Sequence, residues 1–412
     1  MAKPAPRSPL APERFPAMPA VAGARFAAGA AGLRYVGRPD VLLMAFDAGT
    51  TAAGVFTRSD TAAAPVLWCR KALAGGRARA LVVNAGNANA FTGKAGVAAV
   101  KATAAAAARA VGGTAGQVFV ASTGVIGQPL DGAKLARFLP GLARGLAPEP
   151  WSAAAAAIMT TDTFPKGATA TAVIDGRAVT INGIAKGSGM IAPDMATLLA
   201  FVVTDARVPA PVLQALLARA AQGSFNRVTV DSDTSTNDTL MAFATGAAGN
   251  PPIARAGDPR LRGFARALEA VCLDLALQIV RDGEGAQKLV RVDVAGGATP
   301  AQARRVARAV ADSPLVKTAI AGADANWGRV VMAVGKANAG VDQRRLSVAI
   351  GGTKVAVRGG PPPRYDEAPV TAHMKGREIH LAIDLGLGKA SATMWTCDLT
   401  HGYIDINADY RS

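Results

Sequence analysis

Residues 186–206 read KGSGMIAPDMATLLAFVVTDA, and this stretch changes character in its middle. The first half is polar and glycine-rich, whereas the apolar run from Leu198 to Val203 predicts a buried strand. Thr197 stands where the two halves meet. The local pattern favours a strand-opening role for Thr197, because threonine is an ordinary β residue. A hydroxyl behind a glycine-rich approach also suits a nucleophile, so the rest of the chain has to decide between the two roles.

Length and composition limit the protein classes to which the chain can belong. It has 412 residues, 50% of them hydrophobic, which is enough for two or three domains or one large α/β body. No apolar run reaches the roughly 18–20 residues that cross a bilayer. The first 20 residues are basic and proline-rich, and Glu13 interrupts them, so they predict neither a secretory signal nor a transit peptide.

The charged and sulfur-containing residues are dispersed along the chain. The net charge of +16 comes from scattered Arg and Lys without a basic run, and aromatic residues make up only 5%. This pattern favours a basic enzyme surface for anionic substrates over a nucleic-acid-binding surface. Cys69, Cys272 and Cys397 lie far apart, which predicts free thiols in the cytoplasm. The three histidines have no partners at zinc spacing, so we expect no metal.

Periodicity predicts a mixed α/β fold with hairpin-rich sheets flanked by helices. TATAVIDGRAVTI (169–181) predicts a hairpin around an Asp-Gly turn, and residues 261–283 predict the longest helix. FNRVTV (225–230) predicts a strand, and the tail after residue 344 predicts alternating strands and turns. The absence of a sustained βαβ alternation argues against a doubly wound parallel sheet.

The motifs leave few routes to covalent catalysis. The NAGNAN and DGEGA loops match neither nucleotide-binding fingerprint, and the chain has no GxSxG elbow. A threonine without a histidine base can use its own α-amino group, whose pKa of roughly 7.7–8.0 lies near working pH. Thr197 acquires that amine only if the Ala196–Thr197 bond is cut. The small Ala196 leaves its carbonyl open to attack by the Thr197 hydroxyl.

The opening stretch resembles the signature of the ornithine acetyltransferase family, the acetyl-transfer enzymes of arginine biosynthesis. Further blocks agree in order along nearly the whole chain: AAGVFT (52–57), NAGNANAFTG (84–93), ASTGVIG (121–127), TTDTFPK (160–166), VDSDTSTND (230–238), DGEGA (282–286), DANWGR (324–329) and WTCDLTHGYIDINADY (395–410). The resemblance implies an N-terminal-nucleophile type body of two intertwined chains. These are an α chain of residues 1–196 and a β chain of residues 197–412, two of each forming a heterotetramer.

The resemblance also implies a role for individual residues. Thr197 is expected to be both the cleavage residue, with Ala196, and the acetyl-accepting nucleophile. Thr123 and Gly124 are expected to form the oxyanion hole, the first through its hydroxyl and the second through its backbone N–H. Substrate contacts are expected from Thr163, Lys186, Thr197, Glu284, Asn407 and Ser412. The neighbouring Thr160 and Thr161 leave the choice of Thr163 open.

Three residues depart from the family pattern. Asp194 stands where asparagine is common, Ser232 replaces a glycine, and Gln287 replaces a threonine. None of the three removes an expected catalytic group, although Asp194 lies close enough to the expected cut to alter its rate.

The expected function is therefore acetyl transfer from N-acetylornithine to glutamate without a cofactor. Acetyl-CoA remains open as a second donor. One alternative is a self-cleaving aminopeptidase of the same superfamily, which passes the acyl group to water. A nucleic-acid-binding protein is the alternative from another class, and it predicts affinity that falls steeply with salt.

Overall fold

The computed structural model describes residues 6–192 and 198–408 and divides the chain into two compact units. The large unit comprises Pro12–Asn226 and Asp233–Ile279. The small unit comprises residues 6–11, Arg227–Ser232 and the described residues from Val280 onward. None of the helices in these ranges combines the length and apolar character needed to span a membrane.

The strands and helices of the large unit alternate irregularly along the chain. Its described strands are β1 (Ala24–Gly29), β2 (Val41–Phe46), β3 (Thr51–Phe56), β4 (Ala80–Asn87), β5 (Val118–Val125), β6 (Lys166–Ile174), β7 (Arg177–Lys186), β8 (Leu199–Thr204) and β9 (Thr239–Ala244). Its described helices are α1 (Ala64–Ala72), α2 (Gly93–Val111), α3 (Gly132–Ala143), α4 (Trp151–Ala157), α5 (Ala210–Gly223) and α6 (Arg262–Arg281).

These strands form two sheets that pack face to face. One sheet has the order β1-β2-β4-β5 and the other β3-β9-β8-β7-β6. Each contains one parallel pair, β4 with β5 and β8 with β9, and the other pairs are antiparallel. Aromatic rings meet between the sheets, where Phe243 of β9 stacks on Phe46 of β2 with ring centroids 4.5 Å apart. The core of the large unit therefore lies between its sheets.

Helices cover the outer face of each sheet. Strand residues such as Leu43 and Val120 form an apolar cluster with side chains of α2 and α3. On the other sheet, Gln214 of α5 accepts the N–H of Gly54 at 2.9 Å. A Cβ at Gly183 would touch Leu275 of α6, so that helix lies directly on β7. The predicted class, mixed sheets flanked by helices, is confirmed.

The small unit is one mixed sheet with helices on one face. Its described strands are β10 (Leu289–Gly297), β11 (Ser347–Ile350), β12 (Thr353–Ala356), β13 (Glu378–Asp384) and β14 (Ala390–Cys397), in the order β12-β11-β13-β10-β14. Its described helices are α7 (Pro300–Ala311), α8 (Pro314–Ala321), α9 (Trp327–Lys336), α10 (Ala368–Met374) and α11 (His401–Ala408). The first four bury their apolar faces against the sheet.

Local predictions met different outcomes. The hairpin of β6 and β7 is confirmed, with Asp175 and Gly176 both at positive φ as a two-residue turn requires. The buried strand predicted at Leu198 is β8, displaced by one residue. The strand predicted at residues 225–230 is wrong, because that stretch has a short 3₁₀ turn and a single bridge. The last described residues of the tail form a helix, α11, rather than a strand.

Candidate active site

The candidate site in the large unit is built around the two ends of the connection between β7 and β8. Lys186, the last residue of β7, is the cross-strand partner of Leu199, the first residue of β8. Residues 187–198 therefore leave and re-enter the sheet at adjacent positions. Residues 193–197 lie outside the described residues, so the roles predicted for Ala196 and Thr197 stay predictions.

Lys186 and Thr123 are brought together by their two sheets. Thr123 lies near the end of β5, and its Oγ1 accepts a hydrogen bond from Nζ of Lys186 at 3.1 Å. Both residues are buried, with 8% and 7% of their surface exposed. Because the Thr123 oxygen accepts in this contact, its own hydrogen is left to donate to another oxygen. A neighbouring cation also polarises the hydroxyl, which suits it to stabilise an oxyanion.

Only glycine fits at the position after Thr123. Gly124 has a φ of +130°, which residues with side chains rarely adopt. A Cβ there would lie 2.2 Å from the carbonyl carbon of Gly86 and 2.5 Å from the N of Asn87. The close approach of β4 therefore requires glycine at this position. The register between β4 and β5 also shifts here, between Gly86 and Asn87.

A buried ion pair lies beside Lys186. The side chains of Asp162 and Lys166 are fully buried, and Nζ of Lys166 lies 2.7 Å from Oδ1 of Asp162. The same oxygen accepts the N–H of Gly187 at 2.7 Å, while Oδ2 accepts the N–H of Thr160 at 2.9 Å. Burial alone would raise the pKa of Asp162. The charges of Lys166 and Lys186 and these hydrogen bonds outweigh burial and hold the pKa well below its usual range.

A second buried carboxylate meets the other end of the connection. Oδ1 of Asp238 accepts the N–H of Leu198 at 3.1 Å, and Asp238 is 1% exposed. The carbonyl of Leu198 accepts the N–H of Thr239 at 2.9 Å. The backbone of Leu198 is therefore held through both its N–H and its carbonyl.

The three threonines of the TTDTFPK block lie close to these groups. Thr160, Thr161 and Thr163 are all partly exposed in the segment before β6. Thr160 contributes a backbone N–H to Asp162. The choice of Thr163 as the substrate contact therefore stays a prediction.

Glu284 and Asn407 meet in the small unit. Oε2 of the buried Glu284 accepts a hydrogen bond from Nδ2 of Asn407 at 2.7 Å. The DGEGA turn makes this contact possible, because Gly285 has a φ of +74° and a Cβ there would lie 2.6 Å from the N of Tyr403. Thr400 also donates its hydroxyl to the Gly285 carbonyl at 2.7 Å. Ser412 lies outside the described residues.

Two of the unusual positions have a local explanation. Ser232 adopts a φ of +66°, a left-handed conformation in which glycine carries less strain. Gln287 donates its backbone N–H to Asp398 at 2.8 Å, and its side chain accepts from Arg377. The third position, Asp194, lies outside the described residues.

Asp162, Lys166 and Asp238 were missed by sequence reasoning. The signal was present, since TTDTFPK contains the first two and VDSDTSTND ends on the third. Their buried hydrogen bonds depend on contacts between segments far apart in sequence. In the large unit, the cation of Lys186 polarises the Thr123 hydroxyl, which suits that hydroxyl to stabilise a tetrahedral oxyanion.

Comparison with known proteins gives a consistent result along the chain. The model of the ArgJ family matches residues 25–412. The arginine biosynthesis bifunctional protein ArgJ of Gluconobacter oxydans (strain 621H) is 58% identical over 412 residues, covering 100% of this chain and 97% of the relative. The protein of the same name from Bradyrhizobium diazoefficiens is 57% identical over 408 residues, covering 98% and 99%.

Solved structures with similar sequences superimpose on part of the chain. The arginine biosynthesis bifunctional protein argJ of Bacillus halodurans is 41% identical, with a TM-score of 0.49, over 50% of this chain and 97% of the solved one. Ornithine acetyltransferase of Mycobacterium tuberculosis, solved in complex with ornithine, is 38% identical with a TM-score of 0.38, over 43% and 94%.

Proposed function

The chain belongs to the ArgJ family, and from this premise we propose that it is a glutamate N-acetyltransferase of arginine biosynthesis. The observation that carries the proposal is the 58% identity with the Gluconobacter oxydans protein over the whole of this chain. The enzyme takes acetyl from N-acetylornithine and passes it to glutamate. A protein hydroxyl carries the acetyl group between the two amines, so the exchange requires no cofactor.

Thr197 is the proposed nucleophile, and it is generated by self-cleavage. Its Oγ attacks the carbonyl carbon of Ala196, and the Ala196–Thr197 C–N bond breaks as the hydroxyl proton passes to the departing nitrogen, which becomes the α-amine of Thr197. One water molecule then hydrolyses the resulting ester. The products are an α chain of residues 1–196 and a β chain of residues 197–412. The freed α-amine of Thr197 then serves as the general base for acetyl transfer.

The described residues of the large unit support the next steps. The hydroxyl of Thr123 and the N–H of Gly124 stabilise the tetrahedral oxyanion, and the Lys186 contact polarises the hydroxyl. Removing one such donor typically costs about 2.7–4 kcal/mol of barrier. Lys186 also binds the substrate α-carboxylate as a cation, and Thr163 contributes a further polar contact.

The described residues of the small unit supply the complementary charge. Glu284 offsets the cationic side-chain amine of ornithine, and the hydrogen bond from Asn407 fixes the carboxylate. A negative group that is buried at a turn beyond a helix C-terminus gains nothing from the helix dipole, which supports a substrate role for Glu284. Asn407 and Ser412 are the proposed C-terminal substrate contacts.

The sheet of the large unit explains why cleavage need not separate the chains. β8 and β9 belong to the proposed β chain, yet they lie between β3 and β7 of the α chain. We propose that two α and two β chains assemble as a heterotetramer in the cytoplasm. The three cysteines are buried free thiols, which supports a reducing compartment. Acetyl-CoA is a proposed second donor, in keeping with the word bifunctional in the names of the relatives.

Intact mass, N-terminal sequencing and an acetyl-transfer assay test the proposal together. Two chains should appear whose masses sum to that of the precursor plus one water, with Thr197 at the new N-terminus. The purified protein should convert N-acetylornithine and glutamate into ornithine and N-acetylglutamate. An uncleaved chain after prolonged incubation would refute the maturation. Release of free acetate at the same rate with and without glutamate would favour the aminopeptidase alternative.

A further inference from the structure

The connection between β7 and β8 is unusually long for the ends it joins. Lys186 and Leu199 are direct cross-strand partners, yet residues 187–198 lie between them. Hairpin connections usually have about 2–5 residues, and longer ones leave more conformational freedom to be restrained. Chemistry between neighbouring backbone and side-chain atoms needs that freedom removed. Both ends of this connection are held by a buried carboxylate.

The entry of the connection is held by Asp162. Its Oδ1 accepts the N–H of Gly187 at 2.7 Å, and Oδ2 accepts the N–H of Thr160 at 2.9 Å. The charge of Lys166, at 2.7 Å, compensates the buried carboxylate. A hydrogen bond to a charged acceptor is stronger than one between neutral groups, so Gly187 is firmly fixed.

The exit of the connection is held by Asp238. Its Oδ1 accepts the N–H of Leu198, which is the nitrogen of the peptide bond formed with Thr197. The N–H group that Asp238 holds is therefore covalently adjacent to the proposed nucleophile. The bond to Leu198 survives cleavage, because the cut falls on the other side of Thr197.

We propose that Asp162 and Asp238 are positioning residues for self-cleavage, because they hold the two ends of the connection that contains the Ala196–Thr197 bond. This inference rests on the proposed cleavage at Ala196–Thr197. Neither carboxylate exchanges a proton or an atom in the step. Oγ of Thr197 bonds to the Ala196 carbon as the C–N bond breaks, the hydroxyl proton passes to the departing Thr197 nitrogen, and water then hydrolyses the ester. Asp238 continues to position the nucleophile in the mature enzyme.

The decisive test compares two substitutions of Asp238 with a control elsewhere in the large unit. Asp238→Ala should slow cleavage about 10²-fold, the typical effect of a misplacement of about 1 Å. Asp238→Asn should recover most of the rate, because its amide oxygen still accepts the Leu198 N–H. Asp40→Ala is the matched control, since the buried Asp40 carboxylate accepts the N–H groups of Ala31 and Leu33, each at 2.7 Å. The control should mature at the wild-type rate.

A second variant tests the entry end. Asp162→Asn keeps the size of the side chain but offers only one acceptor oxygen, so Gly187 or Thr160 loses its partner. Cleavage should slow, although less than with Asp238→Ala. The cleaved fraction is followed by intact mass against time, and thermal unfolding establishes that each variant is folded.

The outcomes separate this inference from the function on which it rests. A wild-type chain that never cleaves refutes the proposed maturation itself. A cleaving wild type with a folded Asp238→Ala variant that matures equally fast overturns the positioning role. The positioning role would also be overturned if cleavage slowed in both Asp40→Ala and Asp238→Ala in proportion to the stability that each variant loses. If Asp238→Ala does not fold, a folded Asp162→Asn variant that matures at the wild-type rate refutes the inference.

Discussion

Replacing Thr123 with valine tests the oxyanion hole with little change in shape. Valine has the same branched outline as threonine but no hydroxyl. The substitution therefore removes the acceptor for Lys186 Nζ at 3.1 Å and the hydrogen that would stabilise the oxyanion. Thr123→Ser restores the hydroxyl and is the companion variant.

Loss of the oxyanion donor and loss of the hydrogen bond with Lys186 should appear in different measurements. The oxyanion donor acts only in the transition state, so its removal should lower kcat by about 10²–10³-fold. KM should change much less, because the same interaction is absent from the ground state. The contact with Lys186 exists in the folded protein before substrate binds. Its loss should lower the free energy of unfolding by about 1.5–3 kcal/mol, the range for hydrogen bonds to charged groups.

The assay is formation of N-acetylglutamate, normalised to the cleaved fraction measured by mass. Thr103→Val is the control, because Thr103 is a buried threonine of α2 whose hydroxyl donates to the Ala99 carbonyl. It should cost stability without changing kcat. The oxyanion role would be refuted if cleaved Thr123→Val kept a kcat within threefold of wild type.

Three further predictions concern charge, pH and the acetylated intermediate. Glu284→Gln should keep an oxygen that accepts from Asn407 but remove the negative charge that offsets the substrate amine. The fall in kcat/KM for N-acetylornithine should correspond to a loss of about 2–5 kcal/mol in transition-state binding, and near-normal steady-state kinetics would contradict this. The pKa of Asp162 is lower in the folded than in the unfolded protein, so its ionised form contributes stability at neutral pH. That contribution should be lost as pH falls below about 4. In urea unfolding at several pH values, the free energy of unfolding should therefore fall less on acidification for Asp162→Asn than for wild type. N-acetylornithine alone should leave the 197–412 chain heavier by one acetyl group, which glutamate removes, and intersecting double-reciprocal lines without such a chain would indicate direct transfer.

The parts of the fold with local signals were predictable. The Asp175-Gly176 pair determines the turn between β6 and β7, since two consecutive residues at positive φ suit few other sequences. The continuous apolar run of β8 indicated a strand buried on both faces, and the run is fully buried.

The two strand predictions that failed, at residues 225–230 and at the end of the tail, rested on alternation of apolar and polar residues. Neither segment forms the hydrogen-bonded ladder of a strand. Val228 and Val230 are buried, but only Val228 forms a bridge, to Trp395. Ile404 and Ile406 alternate with polar residues in the same way, yet they belong to α11. In α11 the alternation does not follow burial either, because Ile404 is 64% exposed. Apolar alternation alone therefore does not determine a strand, since the backbone partner of a strand depends on distant segments.

The candidate site was predictable only through the family resemblance. The sequence blocks that resemble the family identified Thr123, Lys186, Glu284 and Asn407, and periodicity did not. Their pairing, Thr123 with Lys186 and Glu284 with Asn407, joins residues 63 and 123 positions apart. No local pattern encodes such distances. The buried role of Asp238 was missed for the same reason.

The placement of β8 and β9 between β3 and β7 changes how the protein can refold once it has been cut. In the precursor, the connection of residues 187–198 tethers β7 to β8, which corresponds to an effective concentration of about a millimolar. After the proposed cut the two chains must find each other in solution. At micromolar protein this costs about 10³-fold, or about 4 kcal/mol, relative to the precursor. Dilution should therefore lower the unfolding temperature of the mature enzyme, whose persistence in the cell then depends on slow dissociation rather than on reversible folding.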